Sequence, residues 1–442
     1  METPFSAGHA MPPTASLWTA TTPAQTPSPP LSTTLKADVT VVGAGFMGLA
    51  AALELAENGV DVAVIDAAQV GWGASGRNNG LLAPGLKRDP HEVRKILGRD
   101  AADRLLRLSG QAPDVVAGLV EKHGIDCDLQ RKGWIQAAHA RRALPILERR
   151  VRAWQELGAD TDMIDVADLR TRLGTDFYVA ATIDPRGGSL NPLAFVRGLA
   201  VAARKAGAQI FEQSPALRIE RQDEQWCVST PNGLLRSEAV LVCTNAYNQN
   251  VADLYGSLIP VRTAQIASAP LPTGLSREIL PGGESASDTQ RLLTSFRLTA
   301  DKRLITGGAS ATAGDEHDGL FAHLHRGAKE RFPQLGEIAW EFGWSGYLAL
   351  TDNHLPKIFD VGENYWGASS CNGRGIAMAT VSGQMLARLV SKKTPPDCAI
   401  PIETPRRITG FSLRRPAVAV SVVLNRFLDV AERRFSGGSS SI

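Results

Sequence analysis

Within VVGAGFMGLAAA, residues 41–52, Gly43, Gly45 and Gly48 stand in the order Gly-x-Gly-x-x-Gly, and the chemistry open to that spacing is the holding of a diphosphate. Gly43 allows a tight turn off a strand, Gly45 lets the backbone approach a pyrophosphate, and Gly48 lets helix and strand pack closely. Ala44, Phe46 and Met47 complete the turn. A helix beginning near Phe46 points its free N–H groups and positive dipole end at the phosphates, so no lysine is required. Asp66 lies roughly twenty residues on, where a carboxylate accepts hydrogen bonds from ribose hydroxyls and repels a 2′-phosphate. That disfavours NADP and leaves NAD and FAD both open.

A second chemistry-bearing stretch is GWGASGRNNG, residues 71–80. Its Ala74, Ser75, Asn78, Asn79 and Gly80 suit a loop that runs close along a flat ring and offers backbone N–H groups to its edge, while Arg77 adds a fixed cation.

The elements that must position these residues read as an α/β protein. ADVTVVGAG, residues 37–45, is a strand buried on both faces, and a helix from Phe46 to Asn58 follows, closed by Gly59. VDVAVID then ends at Asp66, completing a β-α-β unit. Asn191 caps a further helix with Pro192 at its first position and Gly207 past its end. EAVLVC, residues 238–243, is another apolar strand, and TNAY at its carboxyl end falls where parallel sheets place ligands. Gly373 and Gly375 open the last helix of this kind, with Gly383 inside it. Residues 111–184 mix a charged helical stretch with short strands, and 251–341 contains RLLTSFRLTADKRLITGG, which alternates and turns like antiparallel hairpins. The expected organisation is a Rossmann-like cofactor domain over 37–110, 185–250 and 342–395. An interleaved α+β substrate domain on an antiparallel sheet covers 111–184 and 251–341. An N-terminal tail, 1–36, and a C-terminal segment, 396–442, flank them.

In the order GASGRN, GIDCD (124–128), GGSLNPL (187–193), TNAY, FRLTADKRLITGG (296–308), RFPQL (331–335) and WSGYLALTDNHLPKI (344–358), the chain resembles the D-amino-acid-oxidase-like superfamily of FAD enzymes. Within it the pattern is that of the gamma-glutamylputrescine oxidoreductase group, from about residue 37 to 392. The resemblance implies non-covalent FAD. Gly43, Gly45, Gly48 and Asp66 would hold its ADP half, Ser75, Arg77 and Asn78 would lie beside the ring, Asn245 at the strand edge, and Gly373 to Gly375 at the pyrimidine end. Ala67, Leu217, Ala246 and Ile376 complete the expected cofactor lining. Where relatives carry Ser-Gly-His-Gly, this chain reads Asn372-Gly373-Arg374-Gly375. Arg374 there would stabilise negative charge on the reduced flavin or bind a substrate carboxylate.

The expected reaction is the oxidation of a C–N bond in an amine or amino acid to an imine, with hydride passing to flavin N5 and reoxidation by O2 or another acceptor. The competing reading is a non-catalytic or electron-transferring flavin subunit of a hetero-oligomer. No residue announces itself as a base. Arg77, Tyr247, Arg297, Trp344, Tyr347 and Arg374 are the expected lining residues, with Arg297 a partner for a substrate carboxylate. His323 and His325 lack acidic or cysteine partners at useful spacing, so no metal is expected. Cys371 is not expected to tether the cofactor.

The bulk properties agree. Lys+Arg 47 against Asp+Glu 45 leaves a net charge of +2, which supplies no long-range field for nucleic acid or an anionic membrane. Five cysteines with no CxxC spacing fit a reducing compartment, hence a cytoplasmic protein. The N-terminal stretch lacks both the basic start and the apolar run of a secretory signal. AVAVSVVL, residues 417–424, is too short to span a bilayer. The Pro, Ser and Thr of the first 35 residues read as a mobile or surface-draped tail in which Trp18 alone invites packing. Self-association into a homo-oligomer is compatible with all of this.

Overall fold

A computed structural model describes residues 15–248, 251, 253–310, 318–391 and 398–411, and, nearer the C terminus, 418, 420–422, 424, 425, 427–429, 431 and 432. Val39–Val42, Val62–Ile65 and Ala239–Val242 are buried at every position, as runs of branched side chains between two helical layers must be. They lie inside a seven-stranded sheet of order Ile402–Glu403, Lys357–Gly362, Tyr365–Ser369, Ala239–Val242, Val39–Val42, Val62–Ile65, Gln209–Phe211. All neighbours pair in parallel except Lys357–Gly362 with Tyr365–Ser369. The Ala- and Leu-rich helix Phe46–Glu57 is buried along most of its length because it packs against the sheet and against helices Pro192–Lys205 and Gly375–Val390.

A second, eight-stranded sheet has the order Trp340–Leu350, Ile259–Pro270, Arg303–Ala309, Thr294–Leu298, Ser285–Asp288, Trp134–Ala138, Ala180–Asp184, Asp162–Ile164. It is antiparallel except where Ser285–Asp288 meets Trp134–Ala138. Its first strand departs from the sequence expectation. The sequence places residues 342–350 in the cofactor unit, yet Trp340–Leu350 pairs along Ile259–Pro270, so the chain returns to the first sheet only at Lys357. Residues 218–237 also form something unforeseen, a small meander of Arg218–Gln222, Gln225–Ser229 and Leu234–Ser237 joined by Thr34–Lys36. Its first hairpin reverses through Asp223 and Glu224, both at positive φ (49° and 63°), the geometry of a two-residue type I′ turn.

The described part of the N-terminal segment lies against the body. Ser16 caps the helix Leu17–Thr21, and Trp18 is buried with its indole N–H donating to the Asn78 carbonyl at 2.8 Å. Its ring meets Trp344 edge-on at 5.9 Å. Further along, the Leu31 amide donates to the Ser214 hydroxyl at 2.9 Å and the Ser28 amide to Glu212 at 2.7 Å. Among the described residues no helix is long and apolar enough to cross a membrane.

Candidate active site

The two sheets bound a cavity of about 930 Å³, near the upper end for small-molecule sites. At one end the Gly43 turn leaves the strand Val39–Val42 and opens the helix at Phe46. Gly43 adopts φ +110°, and a Cβ on Gly48 would lie 1.9 Å from the Gly43 carbonyl oxygen, so neither position admits a side chain. Gly48 lies behind the turn, while Gly43, Ala44, Gly45, Phe46 and Met47 line the cavity. The Phe46 amide donates to the Ser75 hydroxyl at 3.0 Å, which brings the 71–80 loop against the helix start. Asp66 accepts from the Ala44 amide at 2.7 Å and the Ala68 amide at 2.8 Å. Burial raises its carboxyl above the ordinary range, with these two bonds pulling the other way. Asp66, Ala67 and Ala68 face Ser214, Pro215 and Ala216 across this end. Leu217, expected in the cofactor lining, is instead 43% exposed and off the cavity wall; its three predecessors occupy the wall because they follow the strand Gln209–Phe211.

In the middle, Ala74, Ser75, Arg77, Asn78, Asn79 and Gly80 form one wall and Asn245 and Tyr347 another. Arg77 lies 4.2 Å over the Trp72 ring, with Nε donating to the Trp72 carbonyl at 2.6 Å. Tyr247 meets both Trp72 (6.0 Å) and Tyr347 (6.2 Å) edge-on, and its hydroxyl accepts from the Tyr347 amide at 3.1 Å. This gives an apolar, water-excluding flank with few free donors. Tyr247→Phe is expected to lower stability by only about 0.5–1.5 kcal/mol, read as the thermal midpoint of the FAD-loaded protein, because one hydrogen bond is lost and the ring packing stays.

Three expected lining residues lie behind the wall. Arg297 is buried, donating from Nε to the Asn79 carbonyl and from a terminal nitrogen to the Leu190 carbonyl, both at 2.8 Å, and it stacks over Trp18. It is a strut for the loop and not a cation offered to substrate. Trp344 is fully buried and donates its indole N–H to the Arg77 carbonyl at 2.9 Å. Ala246 is buried one residue beyond Asn245, whose positive φ (50°) turns the chain at the strand edge. All three follow from local packing that the spacing of residues in sequence does not reveal.

At the far end Gly373, Arg374, Gly375 and Ile376 line the cavity where the helix Gly375–Val390 begins. Asn372 and Gly373 at positive φ (36° and 91°) form the turn before Arg374, whose guanidinium lies 4.3 Å from the Trp134 ring centroid. Cys371 is half-buried here and burial raises its thiol pKa, disfavouring the thiolate. Sequence reasoning missed Lys87, Trp134, Gln136, Arg142, Arg150 and Arg291, all of which line this end. Most come from the eight-stranded side of the fold, and taken singly nothing marks them apart from ordinary surface residues. Glu432 pairs with Arg142 and Arg291, and Asp429 accepts from the Arg291 amide at 3.1 Å. These contacts draw the C-terminal segment to the rim. Asp429 and Glu432 with His139 bring one donor atom each within 4.8 Å, but two guanidiniums already occupy the carboxylates. His325 stacks on Trp340, 5.5 Å away.

Comparison with known proteins bears on this arrangement. Residues 38–389 match the family model described as "FAD dependent oxidoreductase". The chain belongs to the FAD-dependent oxidoreductase family. It is 33% identical over 82% of its length to a probable oxidoreductase, OrdL, of Haemophilus influenzae, spanning 84% of that protein. To gamma-glutamylputrescine oxidoreductase of Escherichia coli it is 30% identical, over 85% of this chain and 89% of that one. Its fold is that of glycine oxidase from Geobacillus kaustophilus, with a TM-score of 0.70 over 85% of this chain and all of that one, at 22% identity.

FAD is therefore the cofactor of this enzyme, and the residues present fit it. The Gly43–Gly48 turn leaves backbone free at a helix start, Asp66 is fixed at the end of the second strand, and buried polar atoms on the cavity wall lack partners among the described residues: Asn79 Oδ1, Thr244 Oγ1, Ser370 Oγ and Asn372 Nδ2. Buried polar atoms are ordinarily satisfied, so these four fit a wall that a polar ligand would complete.

Proposed function

We propose that this FAD-dependent oxidoreductase oxidises the C–N bond of an amine or amino acid to an imine, with FAD held non-covalently. The observation that carries the reading is one continuous cavity joining the Gly43–Gly48 turn to a second, cation-rich end. Bound FAD supplies a two-electron acceptor for hydride. The chain's own work is orientation and exclusion of water. Trp72, Tyr247 and Tyr347 form an apolar flank, and Arg77, held against Trp72, fixes the loop over which the cofactor would lie. No acidic residue need act as base, because a neutral amine releases hydride from carbon using its own lone pair. Asp288, which lines the cavity, is bonded to Arg331 at 3.0 Å and is not offered as a base.

Gamma-glutamyl amines and N-substituted amino acids are the favoured substrates, supported by the likeness to gamma-glutamylputrescine oxidoreductase over most of both chains. The test is anaerobic mixing of FAD-loaded protein with polyamines, gamma-glutamyl amines, N-methyl amino acids and D-amino acids. At least one class should bleach the flavin and yield a carbonyl product. A flavin left oxidised by all of them overturns the proposal and favours an electron-transferring subunit.

A further inference from the structure

The carbonyls of three successive residues in the 71–80 loop are each taken by a side chain from a different part of the chain. Trp344 donates its indole N–H to the Arg77 carbonyl at 2.9 Å, Trp18 to the Asn78 carbonyl at 2.8 Å, and Arg297 donates from Nε to the Asn79 carbonyl at 2.8 Å. The three donors form one stack: the Trp18 and Trp344 rings meet edge-on at 5.9 Å, and the Arg297 guanidinium lies 5.2 Å from the Trp18 ring centroid. All three are buried and none lines the cavity, whereas Arg77, Asn78 and Asn79 do. A trans peptide is planar, with its C=O and the following N–H pointing in opposite directions, so a grip on one carbonyl aims the next amide. The grip on Asn79 aims the Gly80 amide, which donates to the Asn78 side-chain oxygen at 2.9 Å. The amides of Asn78 and Asn79, turned away from the stack, meet no acceptor among the described residues. Trp18 reaches the stack from the N-terminal segment, which is tied down just beyond it: Asn191 Nδ2 donates to the Thr22 hydroxyl at 3.0 Å, and Arg197 to the Pro23 carbonyl at 2.8 Å.

We infer that Trp18 is a positioning residue of the flavin site, acting through the Asn78 carbonyl to aim the Asn79 amide at the edge of the isoalloxazine ring. This rests on the proposed placement of FAD over the 71–80 loop and not on the identity of the amine. A fixed backbone N–H beside the ring stabilises the negative charge of the reduced flavin more than it stabilises the oxidised form, so losing its aim lowers the reduction potential. The segment before the first strand thereby belongs to the cofactor site, through a residue that touches neither the cavity nor the ring.

The experiment compares FAD-loaded, full-length Trp18→Phe, Trp344→Phe and Arg197→Met with the wild type by reductive titration against a reference dye, which needs no amine. Trp18→Phe keeps an aromatic ring and removes only the donor. Its flavin midpoint potential is expected about 30 mV below that of the wild type, a tenfold change in the two-electron reduction equilibrium, with a displaced visible absorption band. Trp344→Phe frees the adjacent carbonyl and should move the potential in the same direction, so the inference stays testable if Trp18→Phe does not fold. Arg197→Met loosens the same segment without touching the loop and should keep the wild-type potential and band. A potential and band unchanged in whichever tryptophan variant folds, with only the thermal midpoint lowered, would make Trp18 a packing residue and overturn the inference. An Arg197→Met shift as large as that of Trp18→Phe also overturns it, since the effect would then belong to docking of the segment and not to the donor. If the potentials move as expected but no amine bleaches the flavin, the inference stands and the proposed reaction falls.

Discussion

Gly48→Ala is expected to be purified without yellow colour and to regain little on addition of FAD. The added Cβ would stand 1.9 Å from the Gly43 carbonyl oxygen, a backbone atom, and 3.2 Å from a Val41 methyl. Neither gives way without moving the helix Phe46–Glu57 off the strand Val39–Val42. That helix is clamped from its other side, since a Cβ on Gly383 would lie 2.1 Å from the Met47 carbonyl oxygen. The strain therefore falls on the turn that would hold the diphosphate. A penalty of about 3 kcal/mol on the bound form is a hundredfold or more in FAD affinity. The readout is the dissociation constant of FAD for apoprotein, with circular dichroism showing that the remainder of the chain folds.

Arg331→Met should have the largest effect on stability without touching the cofactor end. Arg331 closes the helix Asp318–Arg331 and is buried, donating to Asp288 at 3.0 Å, to the Tyr178 hydroxyl at 3.0 Å and to the Thr294 hydroxyl at 2.9 Å. Asp288 is fully buried, on the strand beside Trp134–Ala138. Removing the guanidinium leaves that carboxylate uncompensated, at a cost of about 3–5 kcal/mol. The thermal midpoint should fall by about 3–5 °C. Because the damage comes from the orphaned charge, Arg331→Met combined with Asp288→Asn should recover much of the loss. A double variant no better than the single one would contradict this.

The cofactor half of the fold was legible because its physics is local. A buried strand must be apolar throughout, the turn after it needs glycine at fixed positions, and the carboxylate at the next strand end falls at a near-constant distance in sequence. The structure places Gly43, Gly45 and Asp66 accordingly. The far end of the cavity was legible only at Gly373, Arg374, Gly375 and Ile376, and the rest was not for the opposite reason. Lys87 precedes the helix Pro90–Leu97 and Trp134 opens a strand, so they reach the same cavity as Arg374 only through tertiary packing. Arg297 and Trp344 misled in the complementary way. The resemblance brings their segments to the flavin face, but here the 71–80 loop uses their donors for its own carbonyls. Residues 342–350, expected in the cofactor unit, pair instead along Ile259–Pro270.

The central claim is that the nucleotide part of FAD lies between the Gly43–Gly48 turn and Asp66. Its most direct test is the FAD dissociation constant of Asp66→Asn apoprotein beside wild type and Lys87→Met. Affinity at least tenfold weaker in Asp66→Asn, with Lys87→Met close to wild type, is the expected result. Equal FAD affinity in Asp66→Asn and wild type would place the nucleotide elsewhere and contradict the account.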